Sequence, residues 1–231
     1  MPIILKNVIK KYGKGQAEFN ALNGISLKIK DGEMLAIMGQ SGSGKSTLLN
    51  ILGFIDKASL GEYYFNGENV SDLDEYELAE YRNKKIGFVF QYFALLNDYT
   101  VYENIELPLL KRKLSKKDRK TIIEEYLNKF GILDQKNKRP QEISGGQQQR
   151  TAIIRALVTN PSYILADEPT GALDKKTGES IMEMLKEINI AGKTIIIVTH
   201  DSNIASLCDR IVNIEDGKLI KEGNYGSIRS D

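Results

Sequence analysis

Eight consecutive residues, Gly39-Gln-Ser-Gly-Ser-Gly-Lys-Ser46, have the composition and spacing to hold a phosphate chain. They match G-x-x-x-x-G-K-[ST] at every fixed position. Glycines let the backbone wrap closely around an anion and turn several N–H groups inward. A following helix adds the partial positive charge of its N-terminus. Lys45 adds a full charge, and the Ser46 hydroxyl is of the type that ligates magnesium. Gly39, Ser41, Gly42, Ser43, Gly44, Lys45, Ser46 and Thr47 are therefore the candidate phosphate contacts. The alternative, a flexible Gly/Ser linker, fits poorly between the apolar run Met34–Met38 and the apolar helix pattern Thr47–Leu52 that ends at Gly53.

Two carboxylates stand at the end of a second apolar run, Tyr163-Ile-Leu-Ala-Asp167-Glu168. Asp167 suits a magnesium ligand, direct or through water. Glu168 points elsewhere and suits a base that polarises an attacking water. The alternative is a pair of turn-capping acids before Pro169. Gln91 follows the apolar run Ile86–Phe90, and its amide can serve both the metal and the water. His200, the one histidine, follows Thr194–Thr199 and is a candidate contact to the terminal phosphate. Both also read as solvated residues where a strand emerges, but ligands gather at strand C-termini in open α/β sheets. Further on, Ser144-Gly145-Gly146-Gln147 opens a helix running to Val158, a second candidate anion site about a hundred residues beyond the first. One nucleotide does not need two such cradles from one chain. A head-to-tail pair of chains would use both.

The elements that must place these residues are legible in outline. Apolar–polar alternation over residues 1–33, ending at Asp31-Gly32, predicts antiparallel strands. Glu62–Phe65 with the Asn66-Gly67 turn extends them. Ser71 is positioned to cap a polar helix over 73–84. Helical periodicity dominates 100–160, over Val101–Leu110, Lys116–Phe130 and Gly145–Val158, with Ser115 and Asp118 as a capping pair. Tyr163–Ala166 and Thr194–Val198 are continuous β-rich runs of the kind found in buried parallel strands, joined by a helix over 175–190. Ile211–Ile214 and Lys218–Ile220 close as a hairpin. The expected class is α/β: a P-loop NTPase core with a mostly parallel sheet, an N-terminal antiparallel β-subdomain and an inserted α-helical subdomain. As one domain over 1–231, it divides into 1–95 with 161–231 and a helical part at 96–160.

Composition narrows the function classes. Thirty-two basic against 31 acidic residues give a net charge of +1, so no bulk field favours nucleic acid. The single cysteine, Cys208, excludes an internal disulfide and reads as a small buried residue. No apolar run reaches membrane-spanning length, so a membrane function would need another chain. The basic stretch Lys111–Lys120 reads as a solvated helix start, or as a contact to anionic headgroups or a membrane partner.

The order Gly39–Ser46, Gln91, Ser144–Gln148, Ile164–Glu168, Ala172-Leu173-Asp174 and His200 resembles the ATP-binding-cassette (ABC) ATPases over essentially the whole chain. The resemblance implies a homodimer formed on binding ATP and Mg2+. Each nucleotide then lies between the phosphate loop of one copy and Ser144, Gly145, Gly146 and Gln147 of the other, with Asp174 in a loop crossing the interface. It also implies that Tyr12 stacks on adenine. Gly171 departs from the family's usual serine, and Ile143 from its usual leucine. Ile37–Asn50, Arg82–Gln91 and Thr100–Leu109 resemble the MacB/LolD/FtsE group, whose ATPases pair with an integral membrane permease. The resemblance implies a peripheral protein at the cytoplasmic face of the membrane, with Phe93, Leu95, Leu96 and Tyr99 as candidate permease contacts or as residues buried in the helical part. It also leaves open export of peptide or drug, lipoprotein release, and FtsE-like control of a cell-wall hydrolase without transport. A DNA-repair ATPase is excluded by the short insertion, and a small-molecule kinase by the Ser-Gly-Gly-Gln helix start.

Overall fold

The computed structural model describes residues 2–224. In chain order the elements are β1 (Ile3–Tyr12), β2 (Phe19–Ile29), β3 (Met34–Met38), α1 (Lys45–Leu52), β4 (Leu60–Phe65), β5 (Glu68–Asn69), α2 (Glu75–Lys85) and β6 (Ile86–Val89). They continue with α3 (Val101–Glu106), α4 (Lys116–Lys129), α5 (Gly145–Leu157), β7 (Tyr163–Asp167), α6 (Lys175–Ile190), β8 (Thr194–Thr199), α7 (Ser202–Ala205), β9 (Arg210–Glu215) and β10 (Lys218–Asn224). Two compact units result. One takes the chain up to Arg82 and from Ile188 onward, and the other takes Asn83–Glu187.

In the first unit, period-two alternation produces an antiparallel sheet in the order β2-β1-β4-β5. Its register sets Ile3 opposite Ile29, Leu5 opposite Leu27 and Val8 opposite Ile25, and all six are buried. The continuous apolar runs behave differently. β3 lies parallel to both β8 and β9, with Met34 opposite Ile195 and Met38 opposite Thr199, and β10 returns antiparallel on β9. Leu35, Ala36 and Ile37 of β3 and Ile195, Ile196 and Ile197 of β8 are fully buried, as parallel strands covered on both faces require. Helix α1 buries Leu48, Leu49, Ile51 and Leu52 and stops at Gly53. Phe54 then turns, at φ +58°, into an aromatic cluster, its ring 5.3 Å from Tyr63, 5.2 Å from Phe65 and 5.8 Å from Tyr81.

In the second unit β6 and β7 pair in parallel, Ile86 opposite Tyr163 and Val89 opposite Ala166. Gly87 lets α5 approach β6 closely, because a Cβ there would lie 2.4 Å from the Ala156 carbonyl oxygen. Reciprocal capping boxes start three helices: Thr100 with Glu103, Ser115 with Asp118, and Ser144 with Gln147. The fully buried Asn104 ties the preceding loop to α3. Its amide donates to the carbonyls of Leu96, Tyr99 and Thr100, and its oxygen accepts from Leu96 N–H.

One expected cap moves. The helix foreseen over 73–84 starts at Glu75 and is capped by Asp74, which accepts from Glu77 N–H while Glu77 accepts from Asp74 N–H. Ser71 instead accepts from the Tyr63 N–H. A carboxylate nearer the first turn wins the cap because it also opposes the positive end of the helix. Cys208 is buried, as expected. Among the described residues, no helix is long and apolar enough to cross a membrane.

Candidate functional site

The phosphate loop sits where a buried strand hands over to a helix. Gly44 caps α1 at φ +105°, a left-handed conformation that favours glycine. A Cβ there would also lie 2.5 Å from the Ala21 carbonyl oxygen. No side chain caps α1, so its first-turn N–H groups face the loop. The loop is held from below: Gly217 N–H, in the β9–β10 turn, donates to the Ser43 carbonyl. Lys45 is 9% exposed, and its ammonium donates to the carbonyls of Gly39 (2.8 Å) and Gln40 (2.7 Å). The Ser43 hydroxyl is buried with no hydrogen-bond partner. A buried ammonium and an orphaned hydroxyl beside a helix start with no side-chain cap suit a polyphosphate. Ser41, Gly42 and Ser46 are exposed at the rim, and Thr47 is half-buried.

The parallel register places other candidates on the same edge. Met38 pairs with Thr199, so Gly39 and His200 leave neighbouring strands side by side. His200 is exposed. Tyr12 ends β1, opposite Phe19, with ring centroids 6.0 Å apart and planes inclined at 44°. Its hydroxyl donates to Asp56 at 2.7 Å. Burial first, and then the bond to Asp56, push the phenol pKa above the ordinary tyrosine value.

In the second unit, Val89 pairs with Ala166, so Gln91 and Glu168 occupy matching positions past the ends of β6 and β7. Asp167 is the last residue of β7, and both acids are half-buried. Glu168 adopts φ +46°, which costs a non-glycine residue on the order of 1 kcal/mol. The turn closes through Gly171 N–H to the Glu168 carbonyl at 3.0 Å. Gly171 is where the expected serine is missing. A Cβ there would lie 2.9 Å from Gln91 Nε2, so the Gln91 side chain occupies the space that a larger residue would need.

The Ser-Gly-Gly-Gln helix start is capped by its own side chains. Ser144 accepts from Gln147 N–H at 3.4 Å, and Ser144 N–H donates to Gln147 Oε1 at 2.9 Å. The Gly145 and Gly146 N–H groups remain in the first turn, where a helix supplies no acceptor. Asp174 caps α6: Thr177 N–H donates to its Oδ1 at 3.0 Å and Thr177 Oγ1 to its Oδ2 at 2.6 Å. Those two bonds, the hydroxyl's the stronger, hold its carboxyl below the ordinary aspartate pKa. A Cβ on Gly146 would come within 2.6 Å of Thr177 Cγ2, and one on Gly145 within 3.4 Å of Leu173. Gln149, fully buried, donates to the Pro169 carbonyl. Gln91, the 169–174 loop and the start of α5 thus form one packed cluster.

Several residues that build the site escaped sequence reasoning. Arg155 of α5 donates to the carbonyls of Ala94 (2.6 Å) and Phe93 (2.9 Å), two residues in left-handed conformations just after Gln91. Thr177, Gln149, Lys10 and Asp56 are the others. Each acts through a contact distant in sequence or through a cap, and no spacing motif marks it. Among the described residues, the first unit offers a possible divalent-cation ligand in the Ser46 hydroxyl, and the second unit offers the Gln91 amide and the Asp167 carboxylate. No group of three His, Cys, Asp or Glu side chains gathers among them. Oxygen donors of this kind suit magnesium, which keeps waters and takes phosphate oxygens as ligands. Leu96 and Tyr99 are 46% and 42% exposed, while Phe93 and Leu95 are partly covered.

Comparison with known proteins identifies the family. Residues 22–171 match the family model described as ABC transporter. The chain is 50% identical over 226 residues to an uncharacterized ABC transporter ATP-binding protein, MJ0796, of Methanocaldococcus jannaschii, covering 95% of this chain and 96% of that one. It is 46% identical over 222 residues to the macrolide export ATP-binding/permease protein MacB of Pasteurella multocida. That match covers 96% of this chain and 34% of MacB, so the chain spans about a third of that relative's length. Among solved structures, a dimeric post-hydrolysis state of the ATP-binding cassette MJ0796 bound to ADP and Pi superposes with a TM-score of 0.90 at 46% identity. It covers 98% of this chain and 100% of that one. With a phosphate loop between buried strand and helix, and a capped Ser-Gly-Gly-Gln helix start, the chain belongs to the ABC transporter family as an ATP-hydrolysing cassette.

Proposed function

We propose that this cassette energises a separate MacB/FtsX-type permease at the cytoplasmic face of a membrane, for export of a peptide, macrolide or similar amphipathic substrate. The observation that carries the ATPase part is the anchored loop Gly39–Ser46, with its buried Lys45 and the orphaned Ser43 hydroxyl. The export part is supported by the likeness to MacB, a chain named for both ATP binding and permeation. In this reading Lys45 and the loop amides hold the phosphates, and Ser46, Gln91 and Asp167 hold magnesium. That ion, when bound, neutralises charge on the phosphates. Glu168 takes the proton of the attacking water, steadied by Gln91 and His200, and Tyr12 stacks on the base. Two copies close over two nucleotides, Ser144, Gly145, Gly146 and Gln147 of one reaching the triphosphate bound by the other. Asp174 lies near the shared boundary. Hydrolysis cuts the link through the terminal phosphate and lets the pair open.

Glu168→Gln tests this directly. The amide cannot accept the proton, so phosphate release should fall by about 10²–10⁴-fold. MgATP should still bind, and size-exclusion chromatography should show an ATP-dependent dimer. Turnover equal to that of the unaltered chain would refute the assigned base.

A further inference from the structure

Asp56 lies outside every motif, yet three groups converge on its carboxylate. Tyr12 donates its hydroxyl to Oδ2 at 2.7 Å, Lys10 donates its ammonium to Oδ1, and Lys57 N–H donates to Oδ1 at 2.8 Å. Lys10 also donates to the Lys57 carbonyl at 2.8 Å, and its nitrogen lies 5.0 Å from the centroid of the Tyr12 ring, over one face. The loop carrying Asp56 is itself fixed. Its N–H, and that of Ile55, donate to the Asn50 carbonyl of α1 at 3.2 and 2.9 Å. Phe54, two residues earlier, is 2% exposed within the aromatic cluster. Helix α1 begins in the phosphate loop, and Thr47 of its first turn is a further polar neighbour of the phenol. A short polar chain therefore links the Tyr12 ring to the helix that would hold the phosphates.

We infer that Asp56, with Lys10, is a positioning residue for the nucleotide base, fixing the Tyr12 ring at a set place relative to the phosphate loop so that a nucleoside triphosphate is preferred over a bare triphosphate. This rests on the reading that Tyr12 stacks on the base. A ring pinned at its hydroxyl and covered by a cation on one face has lost its rotamer freedom before the ligand arrives. An untethered ring would lose it on binding. Neither Asp56 nor Lys10 is a candidate phosphate contact, so the effect of the tether should fall on the base.

The test is calorimetric titration of the full chain with MgATP and with magnesium tripolyphosphate, which has no base. Asp56→Asn should weaken MgATP by about three- to tenfold, the cost of re-ordering one side chain. It should leave tripolyphosphate unchanged. Tyr12→Phe keeps the ring and removes only the hydroxyl. It should show the same selective loss, and combining the two changes should add little to either. Tripolyphosphate binding also reports folding, and Tyr12→Phe carries the test should Asp56→Asn fail to fold. Equal weakening of both ligands would overturn the proposal, because Asp56 would then shape the phosphate loop. So would an undiminished effect of Asp56→Asn in a Tyr12→Ala background. Tyr12→Ala with unaltered MgATP affinity would instead remove the stacking reading itself, and the tether with it.

Discussion

The Lys10–Tyr12–Asp56 cluster sets burial against hydrogen bonding on one carboxylate. Burial favours the neutral acid. Hydrogen bonds from Lys10 and Tyr12 outweigh it, and the Asp56 pKa falls below the ordinary value of 3.8. A carboxylate held charged in the fold to lower pH than in the unfolded chain adds stability above its unfolded pKa. That stability is lost as the pH falls through the folded value. The melting temperature of Asp56→Asn should therefore lie below that of the unaltered chain at neutral pH, and the gap should shrink as the pH drops below about 3.8. Thermal melts by circular dichroism across that range measure it, and a gap independent of pH would show that the carboxylate charge is not what stabilises. Glu168 presents the opposite case. Its left-handed backbone is a local cost carried at the position proposed for the general base, with the Gly171 N–H closing the turn beneath it.

At the scale of elements, the start of α5 and the start of α6 meet without room to spare. Gly146 is a helix residue with no Cβ, and the Thr177 methyl occupies the place where one would go, 2.6 Å away. Alanine favours helix by about 1 kcal/mol over glycine, so on propensity alone Gly146→Ala would stabilise. Overpacking of this kind costs about 1–3 kcal/mol, so the clash should win and the variant should melt lower. Thr177→Ser removes that methyl and keeps the hydroxyl that donates to Asp174. Adding it to Gly146→Ala should recover most of the loss. A double variant no more stable than the single would disprove the contact. Arg155 works on the same scale. Its two bonds to the Phe93 and Ala94 carbonyls tie α5 to the loop after Gln91, and burial draws its pKa below the usual arginine value.

At the scale of the whole molecule, the proposed chemistry is divided. The first unit carries Tyr12, the phosphate loop and His200. The second carries Gln91, Asp167, Glu168, the Ser144–Gln147 turn and Asp174. If each pocket needs the loop of one copy and the helix start of another, two inactive variants should complement. Lys45→Ala spoils the loop and Ser144→Arg the helix start, and each alone should hydrolyse little ATP. Mixed in equal amounts, half of the dimers combine the two, and one pocket in each has both halves intact. That is about a quarter of the normal number of pockets. Phosphate release from the mixture, compared with each variant alone, checks this, and silence at every mixing ratio would count against shared pockets.

The sequence by itself determined which chemistry is available. Phosphate-binding glycines, a lysine and a hydroxyl must be contiguous to wrap one anion, so they appear as a motif. Strand and helix periods appear because burial imposes them over neighbouring residues. The boundaries of β3, α1, β7 and α6 were therefore legible within a residue or two, as was the capping box at Ser115. Tertiary structure decided what depends on partners far along the chain. It set Asp56 under Tyr12, 44 residues away, and Arg155 on carbonyls 61 and 62 residues away. It gave the α2 cap to Asp74 rather than Ser71, and it filled the space beside Gly171 with Gln91. A single aspartate or arginine has no period and no spacing to betray it. Only the packed geometry, which brings distant donors to one acceptor, assigns it a task.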